Sequence, residues 1–220
     1  WRVFSTPDVK TIADLKGKKI GVTTIGSQED SVVRFILKER GLNPDRDFAM
    51  VAVGGAPTRL AALSKGVIHA STFIPPQDIA AEKLGLHELI DMSTLGLYNP
   101  GSCFASTKSY IKSHRDTVMR VMKTFVEGLR FYKDNRDFVL KVTADFAQNR
   151  DPEVLRPTYE VVTRFQDRVP YVNMKGIEFM LKTLELRDPR AKTFDPHNVV
   201  DSSFIQELDK SGFIDAVWKK

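Results

Sequence analysis

Along residues 18–73 short β-rich runs alternate with stretches whose apolar positions recur every three or four residues, the two periods that separate strands from helices. Lys18-Lys19-Ile20-Gly21-Val22-Thr23-Thr24 reads as a buried strand. The turn Ile25-Gly26-Ser27 then opens a helix with Val32, Val33, Ile36 and Leu37 on one face, stopped by Gly41. Phe48-Ala49-Met50-Val51-Ala52-Val53 is the next strand and Gly54-Gly55-Ala56-Pro57 the next turn, and Leu60, Ala62 and Leu63 mark a short helix ending at Gly66. A third strand, residues 67–73, runs into Pro75-Pro76-Gln77 and a helix ending at Gly85; residues 86–92 fit a fourth, shorter strand. Strands separated by helices of about ten residues imply βαβ crossovers, hence an α/β fold with a parallel sheet covered on both faces. The runs 18–24, 48–53 and 67–73 are expected to be neighbouring parallel strands with their turns at one edge.

Beyond Asn99-Pro100-Gly101 the pattern changes. Ser102-Cys103-Phe104-Ala105-Ser106 reads as one more extended segment, and after it only helical spacing remains. Val118, Val121, Met122, Phe125, Leu129 and Tyr132 share one helix, and residues 138–146, 152–165, 175–186 and 202–208 read likewise. The expected organisation is an α/β lobe over residues 1–106 and a helical region over 107–220. Phe125, Phe131, Tyr132, Phe138 and Phe146 fall at core spacings and are expected to pack.

The 220 residues are 42% apolar and 28% charged, with 13 Gly and 11 Pro, the composition of a packed globular chain. No apolar run approaches the ~20 residues of a membrane-spanning helix. The net charge of +5 is spread evenly, +2 up to Tyr110 (13 − 11) and +3 after it (20 − 17). Nucleic-acid binding normally shows as a clustered basic stripe, so no nucleic-acid partner is expected. A single cysteine, Cys103, excludes an internal disulfide and a cysteine-based metal site, and its apolar surroundings suit a buried, inert thiol. The chain opens Trp1-Arg2-Val3-Phe4 without an initiator Met or a leader, and so reads as a trimmed piece of something longer.

In parallel α/β sheets ligands bind at the carboxyl ends of strands, where turns meet helix N-termini. Three such turns supply the candidate ligand-binding residues: Thr24, Gly26, Ser27 and Gln28 in the first, Gly55 and Thr58 in the second, Pro76 and Gln77 in the third. Unpaired N–H groups and the positive end of the helix dipole suit a small anionic or polar guest. Thr24, Ser27, Thr58 and Gln77 would donate side-chain hydrogen bonds, and Gly26 and Gly55 would allow close backbone approach. The same residues have structural uses: Ser27-Gln28-Glu29-Asp30 fits a capping box, and Pro57 suits a first helical turn. No glycine-rich nucleotide fingerprint, Walker loop or nucleophile elbow is present. His69, His87, His114 and His197 lack metal-ligand spacing. No catalytic residue, metal or cofactor is expected.

Several strings together carry a family resemblance. Asp14-Leu15-Lys16-Gly17-Lys18-Lys19-Ile20-Gly21-Val22, the Gly-Ser turn, Gly41-Leu42-Asn43-Pro44-Asp45-Arg46-Asp47-Phe48, Arg59 through Ala70, Ile74-Pro75-Pro76 and Val199-Val200-Asp201-Ser202-Ser203-Phe204 resemble the periplasmic solute-binding proteins of ABC transporters for nitrate, sulfonate and taurine. Their thiamine-pyrimidine-synthase-like branch is included. One departure is His69, where the family usually has Asp. The resemblance begins about a third of the way into a typical member, so most of the N-terminal lobe is absent and the α/β part corresponds to the second of two lobes.

It implies a non-enzymatic solute-binding component of an uptake system, exported to the periplasm or tethered to the cell surface by a lipid anchor. Two lobes would close on a small polar or anionic solute, nitrate-, sulfonate-, taurine- or pyrimidine-like, and the partner would be the membrane permease. The alternatives are a pyrimidine-synthase-like enzyme of thiamine biosynthesis, whose cysteine cluster this chain lacks, and a ligand-sensing input domain. Without the first lobe, the helices of residues 110–165 are expected to expose Val118, Val121, Met122, Phe125, Leu129, Val161 and Phe165 and to self-associate.

Overall fold

A computed structural model describes residues 1–98 and 101–219. The chain forms two compact units, Trp1–Tyr98 with Glu178–Phe194, and residues 99–177 with 195–220. Of the expected boundary Asn99-Pro100-Gly101, the first two residues lie outside the described residues.

The first unit holds β1 (Arg2–Ser5), β2 (Lys19–Val22), α1 (Gln28–Glu39), β3 (Ala49–Ala52), α2 (Ala56–Ser64), β4 (Ala70–Phe73), α3 (Gln77–Lys83) and β5 (His87–Asp91). The sheet order is β3-β2-β4-β1-β5. As the alternation predicts, β2 pairs in parallel with β3 and with β4. The first four-residue strand, which the sequence pattern does not announce, enters between β4 and β5 and runs antiparallel to both, so the sheet is mixed. Arg2 at its start forms ion pairs with Glu82 and Glu88.

α1, α2 and α3 stop in the same way. Gly41, Gly66 and Gly85 have φ of +87°, +69° and +71°, a region open to glycine. After each, the next N–H bonds five residues back, Leu42 to Leu37 O at 3.0 Å, Val67 to Ala62 O at 2.9 Å and Leu86 to Ala81 O at 3.2 Å. This closure caps the last turn and returns the chain toward the sheet.

Side-chain alternation divides the core between the two faces of the sheet. Val3, Ile20, Ala70 and Ile90 pack with Val33, Ile36 and Leu37 of α1. Phe4, Ile68 and Phe73 pack with Leu63 of α2 and Ala81 of α3. α8 (Met174–Leu184) ends within this unit, and Phe179 meets Phe35 edge-on with centroids 5.5 Å apart. His69, the departure from the family pattern, accepts the Lys19 N–H on Nδ1 at 3.3 Å, an acceptor role that a carboxylate would also fill.

A Cβ on Gly21 would collide with Ile68 Cδ1 and come 3.4 Å from Val53 Cγ2. Ile68 is fully buried and cannot swing away. Gly21→Ala is therefore expected to cost about 1–3 kcal/mol, read from the urea midpoint. Ile68→Val, which deletes Cδ1, should recover part of that loss in the double variant; additive losses would exclude the collision as the cause.

The second unit contains α4 (Lys108–Ser113), α5 (Arg115–Asp134), α6 (Arg136–Ala147), α7 (Pro152–Phe165), α9 (Ser203–Lys210) and α10 (Phe213–Lys219). One face of α5 packs Met119, Met122 and Val126 against Leu208 and Ile214, and Tyr159 of α7 stacks on Tyr132, its hydroxyl donating to Lys133 O at 2.9 Å. Three expectations change here. Helical spacing in the sequence runs from Tyr110 to Lys133, which predicts one helix, but the helix breaks at His114, whose ψ of 38° is not helical. The segment 102–106 pairs with no strand, and Cys103 is exposed, because a lone extended segment finds no sheet in a helical unit. Phe131, Phe138 and Phe146 are exposed rather than buried, because the edge-on contact between Phe131 and Phe138 leaves most of their rings uncovered among the described residues.

Candidate functional site

β2, β3 and β4 run in the same direction, so the turns after them open at one edge of the sheet. α1 covers one face and α2 and α3 the other. The connections leaving the adjacent strands β2 and β4 therefore diverge to opposite faces, which opens a crevice beyond their carboxyl ends.

The crevice is organised by Arg59, a residue that sequence reasoning passed over. It is 2% exposed. Its Nη1 donates to Thr23 Oγ1 at 2.6 Å and Gly54 O at 2.8 Å, Nη2 to Glu29 Oε1 at 2.8 Å and Thr72 O at 3.2 Å, and Nε to Ser71 Oγ at 3.1 Å. Ser71 passes the chain on by donating to Gly21 O at 2.8 Å, and Glu29 accepts the Thr23 hydroxyl at 2.6 Å. One side chain thus ties the ends of all three parallel strands to the start of α1. Burial lowers the pKa of the guanidinium, and Glu29 opposes that shift. The available signal was helical geometry: Arg59 lies one turn before the fully buried Leu63, on the inward face.

A second charge cluster stands beside it. Asp30, fully buried, accepts from Arg34 Nε at 2.7 Å, Arg187 Nη1 at 3.0 Å and the Gly26 N–H at 2.8 Å. Arg187 arrives from the returning segment and lies directly over Gly26, whose φ is +87°; a Cβ there would be 3.0 Å from its Nη1.

Thr24, Gly26, Ser27, Gly55 and Pro76 lie in the three turns, and Gln28, Thr58 and Gln77 in the first turns of α1, α2 and α3. Thr24, Gly26, Gly55 and Thr58 are exposed, and Ser27, Gln28, Pro76 and Gln77 are half-buried. Ser27 caps α1, its Oγ accepting the Asp30 N–H at 3.2 Å; Gly55 caps α2 and Pro76 caps α3. The expectation of unpaired N–H groups in the first turn does not hold for Gly26, Ser27 and Asp30, which bond to Asp30 Oδ2, Thr24 O and Ser27 Oγ. Buried Asp30 takes the Gly26 N–H by folding back beneath the turn. Around the first two turns Arg34, Arg59 and Arg187 stand against Glu29 and Asp30, one positive charge in excess; beside the third turn Asp78 pairs with Arg2, which also meets Glu82 and Glu88. Excess positive charge beside the first two turns favours an anion. Among the described residues no three His, Cys, Asp or Glu side chains gather as a metal would require.

A family model described as the NMT1-like family matches residues 6–145. Among curated proteins no match is found. Several solved structures are similar. A protein from Bordetella bronchiseptica RB50 superposes with a TM-score of 0.82 at 23% identity, over 96% of this chain and 70% of its own. The alkanesulfonate-binding protein SsuA from Xanthomonas axonopodis pv. citri, bound to MOPS, gives 0.67 at 21%, over 94% and 68%. The periplasmic aliphatic sulphonate binding protein SsuA from Escherichia coli gives 0.62 at 22%, over 84% and 58%. The desulfurization enzyme DszB matches more distantly, at 0.59 and 14% identity. At these identities the likeness shows the fold, that of the periplasmic binding proteins, and the chain spans between 58% and 70% of the length of the first three.

Proposed function

The chain belongs to the NMT1-like family, and from that premise we propose that it is the solute-binding component of an ABC-type uptake system, taking a small anionic solute at the shared edge of β2, β3 and β4. A sulfonate is the class put first. The observation that carries the reading is the convergence of three helix-opening turns on one sheet edge, with an excess positive charge beside the first two. Closure of the α/β lobe against a second lobe would bury the solute. Delivery to a membrane permease, in the periplasm or at the cell surface, completes the proposal.

Within this site Ser27 and Arg187 would do most of the recognition. Ser27 Oγ accepts one bond and still carries a proton to donate. Arg187 spends Nη1 on Asp30, and its side chain is 36% exposed, so the rest of its fork can face an oxyanion. Thr24, Gln28, Thr58 and Gln77 would line the remainder, with Gly26, Gly55 and Pro76 setting the backbone.

The test is a thermal-shift and calorimetric panel of alkanesulfonates, taurine, nitrate, aliphatic carboxylates and pyrimidines. A true ligand at 100 times its dissociation constant adds about 2.7 kcal/mol. Removing a hydrogen bond to a charged group costs about 1.5–3 kcal/mol. Ser27→Ala and Arg187→Ala should therefore each weaken binding about tenfold or more, while Lys38→Ala, at an exposed position on α1, leaves it unchanged. A panel without a hit would overturn the anion reading, and equal affinities for all three variants would remove Ser27 and Arg187 from the site.

A further inference from the structure

Asp30 touches every part of the first turn that would meet the solute. It lies in the first turn of α1 and is fully buried. Its backbone N–H donates to Ser27 Oγ at 3.2 Å, which takes up a lone pair of that hydroxyl and leaves its proton free to point elsewhere. Its carboxylate receives the Gly26 N–H and Arg187 Nη1 on one oxygen, Oδ2, at 2.8 and 3.0 Å. The other oxygen, Oδ1, accepts from Arg34 Nε at 2.7 Å, and Arg34 is anchored in turn by donating from Nη1 to Pro44 O at 2.8 Å.

The setting of Arg187 follows from that anchor. A Cβ on Gly26 would lie 3.0 Å from Nη1, 3.7 Å from Cζ and 3.8 Å from Nη2, so the guanidinium lies across the turn instead of extending away from it. A partly exposed arginine has many rotamers to sample, and ordering them at the moment of binding costs affinity. With Nη1 held by Asp30, Nε and Nη2 keep fixed directions. A planar fork recognises an oxyanion through direction as well as charge.

A buried carboxylate beside an anion site is unfavourable on charge alone, since like charges repel. Its presence is accounted for by what it holds in place. We propose that Asp30 is the positioning residue of the solute site: without touching the solute, it sets Ser27, Gly26 and Arg187 in one arrangement before the solute arrives. This role rests on the anion reading of the preceding section.

The sign of one substitution separates positioning from charge. Asp30→Asn keeps the backbone N–H for Ser27 and a carbonyl oxygen for Gly26, but it gives up the charged bond to Arg187. Removing a negative charge would by itself tighten the binding of an anion. Loss of the fixed fork should instead weaken it about tenfold. With Arg187→Ala already in place, the same change should alter affinity by less than about threefold, because no fork remains to be oriented. Arg187→Lys is the second variant, at a side chain that is 36% exposed and so tolerates replacement. Asp30 would engage the single ammonium, which has no second arm to offer, and binding should fall nearly as far as in Arg187→Ala.

Calorimetry with ethanesulfonate on the 220-residue chain reads these affinities, and circular dichroism confirms that each variant is folded. Nuclear magnetic resonance with isotope-labelled arginine reads the Arg187 side chain without any solute. A resolved, slowly exchanging Nε–H is expected in the parent, identified by its loss in Arg187→Lys, with faster exchange in Asp30→Asn. Unchanged or tighter binding by Asp30→Asn overturns the positioning role. So does an equal loss with and without the Arg187 side chain, or an Nε–H indifferent to Asp30→Asn. Should Asp30→Asn fail to fold, Arg187→Lys decides, and an affinity close to that of the parent overturns the role. A parent chain that does not bind ethanesulfonate defeats the sulfonate reading alone, and the arginine spectrum then decides whether Asp30 holds the fork.

Discussion

Replacing Arg59 by Met is expected to lower the stability of the first unit by about 3 kcal/mol, the low end of the cost of breaking a buried ion pair. The low end applies because the Glu29 side chain keeps 20% of its exposure and water can reach it. The loss does not come from attraction alone. Without the guanidinium, Glu29, the Ser71 hydroxyl and the carbonyls of Gly54 and Thr72 lose a donor at the ends of three strands, and unsatisfied buried groups are costly. Glu29→Leu in the same chain should recover a substantial part of the deficit, since removing both partners of a buried pair is often near neutral. Urea unfolding followed by circular dichroism reads both. A loss below about 1 kcal/mol for Arg59→Met, or no recovery in the double variant, would show that the crevice is held by other means.

Phe4→Ala should cost about 3–5 kcal/mol, the largest effect expected of any truncation in the first unit. Phe4 is fully buried in a strand of four residues between β4 and β5. So short a strand gains little from its ladder and depends on what its side chains bury. Its ring centroid lies 6.3 Å from that of Phe73, and the Arg59 guanidinium carbon lies 5.8 Å from the Phe73 ring. The two lesions therefore share a neighbour, and the double variant should fall short of the sum of the single losses. A single loss under 2 kcal/mol would mean that this strand contributes little to the core. The urea midpoint at constant slope is the measurement.

These two residues also mark where the sequence was and was not legible. The repeat of strand, polar turn, apolar-periodic helix and glycine could be read along residues 18–85 because each part has a local cause, and Gly41, Gly66 and Gly85 close their helices with the same hydrogen bonds. The position of the three turns at one edge followed from the handedness of the crossovers. β1 was not legible, because four residues show no period and their partners lie 65 to 89 positions away. Arg59 was not legible either, since an arginine on a short helix reads as solvated until the acceptors that bury it are in view. The outward aromatics of α5 and α6 misled for the opposite reason: spacing shows that a stripe exists and is silent on whether anything covers it. Ser27 was identified for its position, but the turn turned out to rest on Asp30 and on Arg187, 157 residues later in the chain.

That long return has a consequence for biosynthesis. The first unit is complete only when Glu178–Phe194 has been added. At about 5–20 residues per second, the α/β sheet must wait several seconds after its last strand is made before Phe179 can cover Phe35 and Arg187 can reach Asp30. Over that interval Arg34 is the one cation of the Asp30 cluster that has been made, and α4 to α7 of the second unit are synthesised meanwhile. In order of synthesis residues 178–194 therefore close the first unit last, after α4 to α7 of the second have been made.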